Sequence, residues 1–210
     1  MNVKSAIRRG DADALRSLLA EDASRANALI RWGENRSIYT HPLHYVSDML
    51  FEGTLKQASA LPIIDTLIRS GADLNFQRNG KGDTPLIGAA SLGAEDVGLP
   101  LIDAGADARL RGIFAETALH WAALLGEARL ATRLIPISEI DLKDAKYRSS
   151  PLGWAIHGCY DPPGGNLGRQ REVAALLVAA GAAVEPAWLQ SEQVRADPAM
   201  IALLMKKPDR

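Results

Sequence analysis

The amino-acid sequence predicts an all-α fold built from repeated pairs of short helices. Three observations carry this prediction: related phrases recur every 33 residues, a second phrase keeps a fixed register with the first, and small residues dominate the composition. Of the 210 residues, 47% are hydrophobic but only 5% are aromatic. Because alanine and leucine cannot fill the space between widely separated layers, such a core requires closely packed helices.

The repeat period is visible in a short phrase that opens each unit. Thr84-Pro85-Leu86 is followed 33 residues later by Thr117-Ala118-Leu119-His120, and Ser150-Pro151-Leu152 comes after a further 33 residues. His41-Pro42-Leu43-His44 is a related phrase upstream. A fixed period of this length is typical of repeat proteins.

A second phrase closes the units. It reads Ser70-Gly71-Ala72-Asp73, Ala104-Gly105-Ala106-Asp107 and Ala180-Gly181-Ala182. Between the two phrases, a run of small residues ends at Gly126, which is typical of a short helix. The spacing of Leu130 and Leu134 then predicts a second, amphipathic helix.

With these phrases the chain resembles ankyrin-repeat proteins, whose 33-residue unit is a β-turn finger followed by two antiparallel helices. The alanine content is similar to that of bacterial, stand-alone members. The resemblance implies an all-α ankyrin-repeat solenoid and a single domain over residues 1–210. It places the repeats at about 1–35, 36–78, 79–111, 112–144 and 145–185, with capping helices at 186–210, where Trp188 to Met205 is expected to form a helical pair.

Several segments depart from the pattern. Insertions fall at 51–60, which we expect to extend the first helix of repeat two, and at 160–169, where Tyr160 to Gly168 reads as a loop. The first finger, residues 31–39, is long. Pro100 is expected to kink or shorten its helix, and Pro136 to end one early.

Composition limits the classes of partner. A formal charge of −1 offers no long-range attraction to nucleic acid or to an anionic membrane. We find no signal-peptide pattern and no apolar stretch near the ~20 residues of a membrane span. We therefore expect a cytoplasmic monomer that binds neither nucleic acid nor membrane, and needs no cofactor.

The four histidines and the single cysteine are the candidates for chemistry. The resemblance implies that His44 and His120 bridge backbone groups of adjacent repeats, while His41 caps its helix. His157 is expected to face outward, and Cys159 to replace a helix-ending glycine. Since no carboxylates accompany the histidines at ligand spacing, we predict no catalytic, cofactor-binding or metal-binding residues.

The register also predicts a partner-binding surface on the concave side of the repeats. Helix positions four, seven and eight residues after the threonine share one face, and the finger residue three before it lies beside them. Aromatic and methionine side chains at these positions are typical of interface cores. The predicted contact residues are Tyr45, Met49, Leu92, Phe114, Trp121, Leu124, Leu125, Tyr147, Trp154 and His157. For Trp121 and Trp154, packing against neighbouring fingers is an equal alternative.

Three functions are compatible with these residues. The leading hypothesis is a non-enzymatic protein–protein interaction module that binds a protein partner along the concave groove. The alternative is an inhibitor or immunity-type protein that occludes the active site of a partner enzyme. A third and weaker hypothesis is an enzyme that uses His157 and Cys159.

Overall fold

The computed structural model describes residues 1–33, 38–165 and 168–206. Within these ranges the chain forms thirteen α-helices and one two-stranded hairpin, which confirms the predicted all-α repeat class. The chain divides into two compact units, unit 1 (Met1–Leu110) and unit 2 (Arg111–Arg210).

Unit 1 combines three helical pairs with the hairpin. Its helices are α1 (Val3–Arg9), α2 (Ala12–Glu21), α3 (Pro42–Phe51), α4 (Gln57–Arg69), α5 (Pro85–Ser91) and α6 (Glu95–Asp103). Strands β1 (Ile30–Trp32) and β2 (Ile38–Thr40) pair antiparallel, with Arg31 opposite Tyr39. They form the described part of the long first finger, whose residues Glu34 to Ser37 lie outside the described residues.

The insertion in repeat two lengthens mainly the second helix, so the expected extension of the first helix is only partly correct. Helix α3 ends at Phe51, while α4 begins at Gln57 and has 13 residues, against 9 in α6. Helix α6 continues past Pro100 to Asp103, so this proline does not shorten the helix.

Unit 2 contains two helical pairs and a cap. Its helices are α7 (Ala118–Leu125), α8 (Ala128–Leu134), α9 (Pro151–Tyr160), α10 (Gln170–Ala179), α11 (Pro186–Gln190), α12 (Glu192–Arg195) and α13 (Pro198–Leu204). Helix α8 ends before Pro136, as predicted. The predicted terminal pair is wrong, because the extended backbone at Ser191 and the N-cap Asp197 divide the segment into three short helices. Residues 207–210 of the predicted cap lie outside the described residues.

The repeat-five insertion begins at the end of α9, whose last residue is Tyr160. Cys159 therefore lies inside the helix and does not replace a helix-ending glycine. The insertion includes a 3₁₀ turn at Pro163–Gly165, and Asn166 and Leu167 of the predicted loop lie outside the described residues.

Small residues let the helices of unit 2 approach one another closely. Ala122, Ala123 and Ala155 are completely buried. A Cβ atom added to Gly158 of α9 would collide with the carbonyl oxygen of Leu124 at the end of α7. This close approach requires glycine, because the carbonyl oxygen belongs to the backbone and cannot rotate away.

We predict that Gly158→Ala lowers the free energy of unfolding by roughly 1–3 kcal/mol, because α7 and α9 must separate. The matched control is Gly88→Ala in α5, where the new Cβ would lie 3.1 Å from a carbon of the His44 ring and would not meet backbone of another helix. The control is expected to change stability by less than about 1 kcal/mol. Equal effects of both substitutions in urea titrations would contradict the close approach.

Buried histidines join the phrases of neighbouring repeats, which confirms their predicted structural roles. His44 Nε2–H donates to the Asp83 carbonyl at 3.0 Å. His120 Nδ1 accepts the Thr117 N–H at 3.1 Å, and its Nε2–H donates to the Ser149 carbonyl at 3.3 Å. His41 caps α3 by accepting the Leu43 N–H at 3.3 Å.

Burial, with the neighbouring His44 adding to it, lowers the pKa of His41 to about 4. Burial also lowers the pKa of His44 and His120. Below pH 6.5 the unfolded chain therefore binds protons that the folded chain excludes. We expect the free energy of unfolding to fall as the pH drops from 6.5 towards 4, by about 1.4 kcal/mol per pH unit for each histidine that stays neutral.

His41→Asn tests this expectation, since asparagine caps helices but does not titrate. The variant is expected to lose part of the pH dependence of stability between pH 6.5 and 4.5. Burial, together with Glu52, raises the pKa of Asp48 to about 6. Protonation of this carboxyl group stabilises the folded state as the pH falls below 6, so Asp48→Asn is expected to make the acid-induced loss of stability steeper. A wild-type slope in His41→Asn would contradict the prediction.

Candidate partner-binding surface

Two consecutive fingers of unit 2, residues 111–116 and 144–149, carry the candidate surface. In the first finger, the Gly112 N–H donates to the Glu116 carbonyl at 2.7 Å and closes a turn. The Ala145 N–H then donates to the Phe114 carbonyl at 2.6 Å, which links the second finger to the first. The two tips are therefore held side by side by the backbone.

A buried carboxylate organises each finger. In the first, Glu116 accepts the Phe114 N–H at 2.8 Å and faces the Trp121 indole N–H at 3.4 Å. In the second, Asp144 is 2% exposed and accepts four hydrogen bonds. The donors are the N–H groups of Lys146 (2.8 Å), Tyr147 (2.6 Å) and Ser149 (3.1 Å), and Trp154 Nε1–H (3.1 Å). Each acid thus ties a fingertip to the indole of the helix that follows.

The charge state of Asp144 follows from this environment. Burial by itself raises the pKa of the carboxyl group, but the hydrogen bonds from the finger N–H groups and from Trp154 together hold it below its ordinary value. Asp144 is therefore an ionised acceptor throughout the physiological range.

Aromatic rings continue from the fingertips to the helices. Trp154 meets the rings of Trp121 and Tyr147 edge-on, with centroids 5.1 and 5.9 Å apart. The Lys146 ammonium lies 5.0 Å from the Phe114 ring centroid and 4.7 Å from that of Tyr147. These five residues, Phe114, Trp121, Lys146, Tyr147 and Trp154, are termed the aromatic surface.

Exposure decreases from the tips of the fingers to their base. Tyr147 is 63% exposed and Phe114 45%, whereas Trp121 is half-buried and Trp154 is only 6% exposed. The rings at the tips are thus available to a partner, while the indoles beneath them belong to the fold.

A cavity of about 350 Å³ opens beside this surface. Its lining is formed by Tyr147, Ser149, Gly153, Trp154 and His157, and it is termed the Gly153 cavity. Gly153 stands at the fourth position of its phrase, where His44 and His120 stand in theirs. A Cβ at Gly153 would meet Ser149 Oγ and lie 3.0 Å from the Trp188 ring, so these side chains occupy the space next to the Gly153 backbone.

Of the seven predicted contact residues in unit 2, three are exposed, three are half-buried and one is buried. Phe114, Tyr147 and His157 are exposed, and Trp121, Leu124 and Leu125 are half-buried. Trp154 is buried against the finger, so for this residue the alternative of packing is correct.

In unit 1 the predicted exposure is wrong for Tyr45 and Met49, which are each 1% exposed. The Trp32 ring of the first finger covers Tyr45, with centroids 5.4 Å apart. Beyond α3 the chain returns so that the Leu55 N–H donates to the Met49 carbonyl, and Leu55 is itself buried. Leu92 is half-buried.

The groups considered for catalysis show no activation. Burial raises the pKa of the Cys159 thiol, the opposite of what a nucleophilic cysteine requires. His157 lies 3.8 Å from Asp161 on the exposed side of α9. No group of three or more His, Cys, Asp or Glu residues that could hold a metal ion occurs in the part of the chain that the structure describes.

Residues 55–144 match the family model for ankyrin repeats, in three copies. These residues are ankyrin repeats. A search of the curated proteins returned no match. Ankyrin repeats generally serve as protein–protein interaction modules and are typically non-enzymatic. The matched ankyrin segment ends at Asp144, the first residue of the finger that carries Lys146 and Tyr147.

None of the helices in residues 1–33, 38–165 and 168–206 combines the length with the apolar character that crossing a bilayer requires.

The sequence patterns did not reveal Glu116, Asp144 and Lys146 as residues of the candidate surface. No sequence pattern identifies them, because Glu116 and Asp144 stand at different distances from their tryptophans.

We predict that Asp144→Ala lowers the free energy of unfolding by roughly 2–4 kcal/mol, because several buried donors lose their acceptor. Tryptophan emission is expected to change as Trp154 loses its partner. Asp161→Asn, at an exposed acid of the same unit, is the control and is expected to stay within about 0.5 kcal/mol of the wild type. Unchanged stability of Asp144→Ala would show that the carboxylate does not organise the finger.

Proposed function

We propose that this chain is a non-catalytic interaction module and that the aromatic surface of unit 2 binds a segment of a partner protein. The observation that carries the proposal is the pair of exposed rings, Phe114 and Tyr147, at adjacent fingertips whose backbones are fixed by buried carboxylates. Aromatic side chains are prominent among the residues that dominate binding energy at interfaces.

The rigidity of the fingertips supports this role. Lys146 lies close to both rings, and the backbone of each tip donates to a buried acid. Rings held in place before binding lose little conformational entropy when a partner covers them. The half-buried Leu124 and Leu125 and the exposed His157 are proposed as further contacts in this unit, and Leu92 in unit 1.

The organisation of the chain is part of the same proposal. We propose that both units belong to one repeat domain with the repeat boundaries given above. A cytoplasmic location and a monomeric state stay predictions from the sequence.

The test is a double substitution, Phe114→Ala with Tyr147→Ala. A protein captured from native lysate on the immobilised wild-type chain is purified, and its affinity for each variant is measured by calorimetry. We expect a loss of roughly 2 kcal/mol or more in binding free energy. The melting temperature is expected to change little, because both rings are exposed.

Phe51→Ala is the matched control, since Phe51 is a 71% exposed phenylalanine in unit 1. It removes a similar apolar side chain and is expected to leave affinity unchanged. Unchanged affinity in the double variant, with the wild-type melting temperature, would rule out this surface. If the captured protein is an enzyme, its activity at saturating concentrations of the chain measures the inhibitory alternative.

A further inference from the structure

We infer that the partner segment of unit 2 is acidic and that it inserts one apolar side chain into the Gly153 cavity. This inference rests on the proposed function and specifies the chemistry of the partner. Two observations carry it: an imbalance of charge at the fingertips and the shape of the adjoining cavity.

The fingers expose positive charge and bury negative charge. Lys146 and Arg148 are exposed and form no ion pair with any residue in the described part of the chain. The acids of the same fingers, Glu116 and Asp144, are buried and accept hydrogen bonds from the fingers themselves. Carboxylates on a partner are therefore the complement that this surface lacks.

The neighbouring basic residues, in contrast, form ion pairs. Arg111 lies 3.7 Å from Glu139, and Lys143 lies 2.9 Å from Glu185. Their charges are balanced by these carboxylates, so the unpaired positive charge of the two fingers is that of Lys146 and Arg148. Arg148 also has a positive φ of 54°, which places it at the turn of the fingertip.

The Gly153 cavity has the size for a side chain. At about 350 Å³ it is at the lower end of the range for small-molecule sites, which typically exceed ~300 Å³. Its walls include the rings of Tyr147 and Trp154, and Ser149 and His157 add polar groups. Tyr147 lines the cavity and the Lys146 ammonium lies 4.7 Å from the centroid of its ring, so the cavity lies close to this unpaired charge. An apolar anchor flanked by Asp or Glu fits both features.

A single-stranded nucleic acid is the competing occupant, because aromatic rings beside a cation also stack on bases. Nucleic-acid affinity depends on the neutralisation of many phosphates. Two unpaired cations on a chain of formal charge −1 do not supply that many contacts. The observations therefore favour an acidic protein segment.

The experiment is a selection of displayed random peptides of about twelve residues on the immobilised full chain, followed by affinity measurement with the selected peptide. We expect an excess of Asp and Glu around one apolar position. Alanine at the apolar position, or at two acidic ones, is expected to weaken binding about tenfold. Affinity is expected to fall between about 50 and 300 mM salt.

Substitutions in the chain locate the contacts. The double substitution Lys146→Met with Arg148→Asn is expected to lower the affinity for the selected peptide about tenfold and to reduce the salt dependence of binding. The control, Arg16→Gln with Arg195→Gln, removes the same charge from exposed helix positions and is expected to have no effect. Gly153→Ala narrows the cavity and is expected to weaken binding; if this variant does not fold, the alanine scan of the peptide decides the same point.

Two sets of outcomes would overturn the inference. The acidic partner would be refuted if the selected peptides are neutral or basic, or if their affinity does not change with Lys146→Met and Arg148→Asn. The proposed binding at the aromatic surface would still stand in that case. Binding of a labelled oligothymidylate, with no acidic peptide selected, would identify the other occupant. Insensitivity of every selected peptide to Phe114→Ala with Tyr147→Ala would instead refute the proposed function.

Discussion

Close contact between the helices of successive repeats is the constraint on which unit 2 depends. Helices α7 and α9 meet where Gly158 lies against the Leu124 carbonyl, and Gln170 Nε2–H donates to the same oxygen at 3.3 Å. The end of α7 is therefore fixed by both helices of repeat five. Because these anchors stand on either side of the insertion, ten additional residues between them leave the packing of the pair in place.

The polar groups that hold the repeats together also build the candidate surface. His120 joins the Thr117 phrase to the Ser149 carbonyl, and its ring meets Trp154 edge-on at 5.3 Å. Asp144 holds the same finger from the other side through its backbone N–H groups and the Trp154 indole. The hydrogen bonds that stabilise the fold therefore also fix the positions of Tyr147 and Lys146.

Sequence patterns predicted what depends on fixed spacing. The repeat helices and the bridges of His44 and His120 follow from local phrases, so their positions could be derived. The exposure of a side chain could not be derived in the same way. The register of a helix gives the direction in which a side chain points, but it does not show which other segment packs over that side chain. Tyr45 is covered by Trp32, which comes from the long first finger, and the sequence gives no indication of how that finger folds back.

The acids of the fingers escaped detection for a related reason. Glu116 stands five residues before its tryptophan and Asp144 ten before its own, so no single spacing connects the two pairs. Their common role is visible only in three dimensions. The cap is a similar case, since its division into α11, α12 and α13 depends on the extended backbone at Ser191 and the N-cap at Asp197.

The gradient of exposure along the aromatic surface separates binding from folding. At the tips, Phe114 and Tyr147 leave 45% and 63% of their surface exposed, so the fold depends less on their rings. At the base, Trp154 donates to a buried carboxylate and packs against Trp121, so its loss would leave Asp144 short of a donor and open a cavity. Two rings in contact with one another are thus subject to different constraints. The outer ring is free to match a partner, and the inner one must satisfy the finger that presents it.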